Sequence, residues 1–572
     1  MTGGSRQGAR GRGAPNLYDP ARKRTWSTVP RRPKEEEIVV DHRQPPGSSW
    51  IRTAALFVVA ALAFAACGGS TPTTAPATSS PPGSGAPQPS SPAATPAPVD
   101  TTFTYANHTQ IVTDLDPATS YSNEVCAMHD IYETLTRYDA VTNKVMPALA
   151  RAWTSSADGT TWTFTLRSGV TFHTGRAMDA AAAKAAIERT KTLGQGAGYI
   201  WGAVKTIEAK DPQTLVFTLE YPAPLDLIAS ANYAAYVYDT DAAGPGAGEE
   251  FELTLDQYAD YWGGWDGVHY TKVVYRVVPE VTTAAQLLQS GDVSYVDRLT
   301  PQLVGSLKDN PDLQVVETPS FQNVVALLNT KSGPLADPNV RKAVAKSFDT
   351  IGIASALGGS VAPATGVIPR GLIGYSDSLT GAGLDLEGAA ALLAKSGFGP
   401  GGKPLTISVT IVSGDTDLSL ITTSLKSNLA KLNITLDVQP LQWQAQWDRA
   451  KSADVAKRQD VFLMYWWPDY ADPFSWFFSL FHSEETPNFN LAYYSSTTLD
   501  AEIDGIQALT ATNRDQAAAE YVKMEQQLID EAVVVVPYVQ NYQRVLQASV
   551  GGFVDNPAYA TVVFAYDLTP GP

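Results

Sequence analysis

Between Leu405 and Trp466 the sequence alternates strand and helix signals, and this alternation constrains the fold more than any other feature. Leu405, Ile407, Val409 and Ile411 recur at every second residue. Ile421, Leu425, Leu429 and Leu432 then recur at helical spacing, and Ile434, Leu436 and Val438 return to period two. A helix over Trp443–Ala450 and an apolar strand over Val461–Trp466 follow. Strands linked by helices run parallel, because the crossover brings the chain back in the same direction. In such sheets ligands sit beyond the carboxyl ends of the strands. The loop that opens with Trp467-Pro468-Asp469 is therefore a physical candidate for a binding site.

The chain before this region is also mixed. Thr161–Arg167 alternates strictly, with Trp162, Phe164 and Leu166 on one side, after the turn signal Asp158-Gly159. Gln213–Glu220 repeats the pattern with Leu215, Phe217 and Leu219. Both read as half-buried antiparallel strands. The Ala-rich stretch Met178–Leu193 between them reads as helix. Asp337 is placed to cap a helix that starts at Pro338, and Asp385 a second that ends near Gly397. A long helix is expected over Arg514–Glu531. An apolar strand, Val533–Val536, is expected to stop at Pro537.

The N-terminal hundred residues have a different composition. Residues 1–52 are polar and basic, with 11 Lys/Arg against 5 Asp/Glu, and read as a leader without a fold. Residues 53–66 (TAALFVVAALAFAA) are apolar and end in Ala65-Ala66-Cys67. Fourteen residues make a helix of about 21 Å, short of a bilayer core of about 30 Å. A positive flank, a short apolar core, small residues and then Cys form the layout of a lipoprotein signal, with Cys67 as the lipidated residue. Phe64 departs from it, since an aliphatic residue is usual three before the Cys. A cleaved signal with an incidental Cys, or an uncleaved anchor, are the other readings. Residues 70–98 are almost only Ser, Thr, Pro, Ala and Gly, so the 67–100 segment reads as a tether.

Residues 101–572 exceed a single-core domain, so two lobes are expected. Without residues 1–66 the chain holds 30 Lys/Arg against 53 Asp/Glu, a net charge of −23. That repels phosphates and argues against nucleic acid. Cys126 is the one other cysteine, so an internal disulfide is not expected. There is no His-Glu-x-x-His pair, no Gly-x-Ser-x-Gly elbow and no zinc spacing. Gly194-x-Gly196-x-Gly198 lacks a strand–helix context and reads as a loop. Asp469 and Asp472 lie three residues apart on one loop, a poor arrangement for the paired carboxylates of a glycosidase. Catalysis, a metal and a cofactor are not expected.

Several stretches, in order, carry a resemblance. They are Leu115-Asp116-Pro117, Ile131–Leu135 (IYETL), Val145–Trp153 (VMPALARAW), Trp162–Gly175 (WTFTLRSGVTFHTG), Tyr261–Gly264 (YWGG), Gln289–Val293 (QSGDV), Val340–Ala343 (VRKA) and Trp467–Phe474 (WPDYADPF). With them the chain resembles the extracellular solute-binding proteins of family 5, the oligopeptide, dipeptide and nickel group. One departure is the segment Ala243–Glu250 (AGPGAGEE), where the family carries a Gly-Thr-Gly-Pro-Tyr strand.

The resemblance implies an α/β fold, a two-lobed periplasmic-binding-protein-like clamshell of class II and the large peptide-binding type. Lobe 1 would hold residues 101–325 with 537–572, and lobe 2 residues 326–536. The hinge would lie at Glu317–Gln322 and Pro537–Gln543. In peptide-binding relatives an acidic residue at the place of Asp469 pairs with the ligand's α-amino group, a charge-assisted hydrogen bond in a cleft closed to water. The competing reading is that Asp469 caps a turn or balances a local Lys or Arg. Trp466 and Trp467 are candidates to pack the ligand, with Tyr121, Ser122, Phe321 and Asn323 as further cleft residues. Asp472 reads as structural. The implied function is a monomeric lipoprotein on the extracytoplasmic face of the bacterial plasma membrane, passing a short peptide to ABC permease subunits. An oligosaccharide, a nickel complex or another small solute as ligand, and a non-transport sensing or envelope role, stay open.

Overall fold

The computed structural model describes residues 101–108, 114–243, 252–379, 381 and 383–571. The leader, the apolar run with Cys67 and the tether lie outside the described residues, as do 244–251 of the divergent segment.

The alternation at 405–466 folds as expected. Strand Leu405–Val412 pairs in parallel with Ile434–Leu441 and with Val461–Trp466. Helices Thr416–Ala430 and Trp443–Ala450 make the crossovers. The helix stops before Leu432, which is nevertheless buried in the same core. Val461–Trp466 is an interior strand with apolar side chains on both faces, as parallel sheets covered on both sides require. Val461 and Leu463 join one apolar core; Phe462, Met464 and Trp466 join another.

These strands form one end of a ten-stranded mixed sheet. Its other end orders Glu252–Asp256, Lys272–Val277, Thr102–Asn107 and Tyr295–Val296. Two long antiparallel strands, Leu313–Leu328 and Val534–Gln547, lie between the two ends and join them. Their register slips between Pro319 and Asn323, where Ser320 Oγ donates to Gln540 O at 2.5 Å and Phe321 N to Pro557 O at 3.1 Å. The expected stop at Pro537 does not occur, because one strand runs from Val534 to Gln547. The physical reason is a second slip, between Val324 and Ala326, opposite Pro537. A residue without an N–H is tolerated where the ladder is interrupted.

A separate four-stranded antiparallel sheet orders Ala150–Ser155, Thr161–Leu166, Thr214–Leu219 and Val204–Asp211. Its period-two apolar residues, Phe164, Leu166, Leu215 and Phe217, are fully buried. The helix between them runs Ala180–Leu193; Asp179 caps it by accepting from Ala182 N at 2.9 Å. Asp337 and Asp385 cap helices Pro338–Ala345 and Leu386–Lys395 through Asn339 N and Gly388 N. The long helix spans Arg514–Asp530. Cys126 is buried and free.

Candidate functional site

The site is built on the loop between strand Val461–Trp466 and helix Phe474–Phe481. Its backbone is pinned from a distant part of the chain. Asn232 N donates to Asp469 O at 2.7 Å, and Asn232 Nδ2 reaches Pro468 O at 3.3 Å and Ala558 O at 2.7 Å. Asp472 closes the loop from within: Oδ1 accepts Phe474 N at 2.9 Å and Tyr521 Oη at 3.0 Å. Asp472 is thus a structural residue.

Asp469 is 2 % exposed. Tyr121 Oη donates to its Oδ1 at 3.2 Å and its Oδ2 at 3.4 Å, and Tyr199 Oη donates to Oδ2. Among the described residues no Lys, Arg or His pairs with it, so it balances no local cation. Burial pushes its pKa up to about 6, although the two phenols pull it down. Burial and the neighbouring carboxylate raise both phenols well above their usual range, so they remain neutral donors. The arrangement is a buried carboxylate that accepts from two hydroxyls.

Aromatic rings surround it. Tyr121 meets Tyr233 edge-on at 4.9 Å and Phe489 at 5.5 Å; Tyr199 stacks on Phe478 at 4.8 Å. Phe489 also touches Trp466 at 5.1 Å and Trp447 at 4.8 Å, and Trp447 lies 5.3 Å from Trp443. Tyr121, Phe489 and Trp447 are half-buried and Trp443 is exposed, so an aromatic path leads from the surface towards Asp469. Trp467 is half-buried, and the nearby Tyr233 hydroxyl donates to Ser122 O at 3.0 Å. Trp466 Nε1 is buried without a partner among the described residues. Two cavities, of about 400 and 470 Å³, lie around Tyr258 and Trp262 and around Pro224 and Arg514; neither includes Asp469.

The structure therefore brings Asp469, Trp466, Trp467, Tyr121 and Ser122 together. Two further expected contacts, Asn323 and Phe321, are also buried. Asn323 is fully buried, with Nδ2 donating to Val367 O at 2.7 Å and Oδ1 accepting from Trp476 Nε1 at 3.1 Å. Phe321 is packed in the core at the register slip. Sequence reasoning missed Tyr199, Tyr233, Asn232 and Phe489. A signal for Tyr199 existed in the glycine loop before it. Gly196 has φ +51°, and a Cβ there would lie 3.0 Å from Thr119 O and 3.2 Å from Tyr121 Cβ. A residue without a side chain lets the two loops touch, which places Tyr199 beside Tyr121. Among the described residues no cluster of His, Cys, Asp or Glu is suited to a metal.

The fold is an α/β clamshell, with a buried carboxylate that no cation pairs among the described residues. Comparison with known proteins gives the family. Residues 144–488 match the bacterial extracellular solute-binding proteins, family 5 middle region, and the chain belongs to that family. Its members are binding proteins of transport, not enzymes. The chain is 27 % identical to a probable D,D-dipeptide-binding periplasmic protein of Escherichia coli (strain K12), over 77 % of this chain and 89 % of that one. It is 24 % identical to heme-binding protein A of Haemophilus influenzae, over 79 % and 88 %. Among solved structures, the periplasmic binding protein DppA of Helicobacter pylori in complex with peptide STSA superposes with a TM-score of 0.71 at 20 % identity, over 82 % and 98 %. NikA of Brucella suis in complex with Fe(III)-EDTA gives 0.71 at 21 %, over 82 % and 99 %.

Proposed function

We propose that this protein is the lipid-anchored receptor of an ABC importer, and that it captures short peptides by their α-amino group at Asp469. The observation that carries the reading is the buried carboxylate that two tyrosine hydroxyls hold and no cation neutralises. An ammonium group supplies the missing charge, and a carboxylate–ammonium hydrogen bond gains strength where water is excluded. The relatives named for dipeptides and the peptide-bound neighbour support a peptide over other solutes.

The lobes are residues 101–325 with 537–572, and residues 326–536, with Glu317–Gln322 and Pro537–Gln543 as the crossings. Asp469 and Trp466 come from the second lobe; Tyr121, Tyr199 and Asn232 come from the first. Cys67 carries the lipid, the 67–100 tether gives reach, and the monomeric body works at the extracytoplasmic face beside its permease. The aromatic path from Trp443 to Phe489 favours one second reading, an oligosaccharide whose rings stack along it.

Native mass spectrometry of the chain purified without refolding tests this. A series of co-purified peptides, absent from Asp469→Ala, is the expected result. A bound sugar or metal complex that survives Asp469→Ala contradicts it.

A further inference from the structure

We infer that Arg298 is a bolt that holds the two lobes closed before any ligand arrives. The inference rests on the lobe assignment above but not on the identity of the ligand. Arg298 follows the short strand Tyr295–Val296, on the first-lobe side of the two long crossing strands. Its guanidinium reaches residues on the far side. Nη2 donates to Asp417 Oδ2 at 3.0 Å and to Tyr465 Oη at 2.8 Å, and Nη1 to Asp415 Oδ2 at 3.5 Å. Its Cζ lies 5.2 Å from the centre of the Tyr465 ring.

The receiving side is rigid. Asp415 caps helix Thr416–Ala430, with Oδ1 accepting Asp417 N at 3.0 Å and Leu418 N at 2.9 Å. Tyr465 Oη donates to Asp415 Oδ2 at 3.1 Å. The helix N-terminus favours both carboxylates where they stand, so the cation meets a preformed anionic seat. Among the described residues these are the only ion pairs that join residues 101–325 and 537–572 to residues 326–536. The Arg298 side chain is 24 % exposed, so salt can reach the bolt.

The bolt raises the fraction of molecules already closed. Apparent affinity scales with that fraction, so the bolt tightens binding of every ligand by the same factor. Salt lowers it by weakening the bolt.

Hydrogen exchange on the full, ligand-free chain tests this, because the Asn232 amide is bonded to Asp469 O across the cleft and exchanges when the lobes part. Arg298→Gln is expected to speed exchange at Asn232 by about fivefold, the size of a partly exposed ion pair. Strands Leu405–Val412 and Ile434–Leu441 should be unaffected. Arg298→Lys should fall between, and Asp417→Asn should reproduce the Gln result from the other side. Salt at 1 M, with a Debye length of about 3 Å, should move the wild type towards the variant and leave the variant unchanged. Unchanged exchange at Asn232, or a uniform rise through both lobes, overturns the bolt. No peptide enters this measurement, so failure of the peptide reading would show separately.

Discussion

At the scale of single residues, burying the Asp469 carboxylate costs the ligand-free protein stability. The Asp469 carboxyl sits near pH 6 in the fold against about 3.9 in an unfolded chain. Its ionised form is thus disfavoured by folding: the site is most stable below about pH 4, and stability is lost as pH rises through 6. Two pH units correspond to at most about 3 kcal/mol. Asp469→Asn should therefore raise the melting temperature of the ligand-free protein at pH 7, with the gain vanishing near pH 4; a calorimetric scan at both values checks this. The same shift governs binding. Affinity for a peptide ammonium should fall about tenfold per pH unit below 6, and titration calorimetry between pH 4 and 7 measures it. The end of the strand at Trp466 marked the following loop in the sequence, and the family resemblance singled out Asp469 within it. Its phenolic partners were not legible in the same way. Tyr121 was reached through its motif; Tyr199 had only the glycine loop before it as a signal, and Tyr233 carries no pattern that separates a site tyrosine from a core one.

At the scale of elements, period and capping were read well, because both are local. The strands at Leu405–Val412 and Thr161–Leu166 and the caps Asp337 and Asp385 depend on neighbours within a few residues. Pro537 misled because its effect depends on what lies opposite, a slip in a strand some two hundred residues earlier in the chain. The glycine loop offers a test of what positions the site. Gly194 and Gly196 both have positive φ, at +58° and +51°, so alanine at either should cost about 1–2 kcal/mol of backbone strain. Only Gly196 presses on the Thr119–Tyr121 backbone; the nearest atom to a Cβ on Gly194 is Lys191 O at 3.9 Å. Denaturant melts should show a loss for both variants, larger for Gly196→Ala, whose Cβ also meets Thr119 O and Ser120 O. Ligand affinity should fall for Gly196→Ala alone, because Tyr199 is pushed away from Asp469.

At the scale of the whole molecule, the sequence pointed to a two-lobed α/β body through alternation and length. The pairing of Leu313–Leu328 with Val534–Gln547, which ties both ends of the ten-stranded sheet together, has no local signature. In the proposed lobe assignment these two strands are the crossings, and their register slips at Pro319–Asn323. In the lobe assignment proposed above, Asp469 meets Tyr121, Tyr199 and Asn232 of the other lobe. The central claim is that this closed seat takes an ammonium group. The most direct measurement compares the thermal shift produced by a mixture of tri- and tetrapeptides with that produced by the same mixture after N-acetylation. Free peptides should stabilise the wild type, while acetylated peptides, and free peptides on Asp469→Asn, should not. Equal stabilisation by acetylated and free peptides would contradict the account.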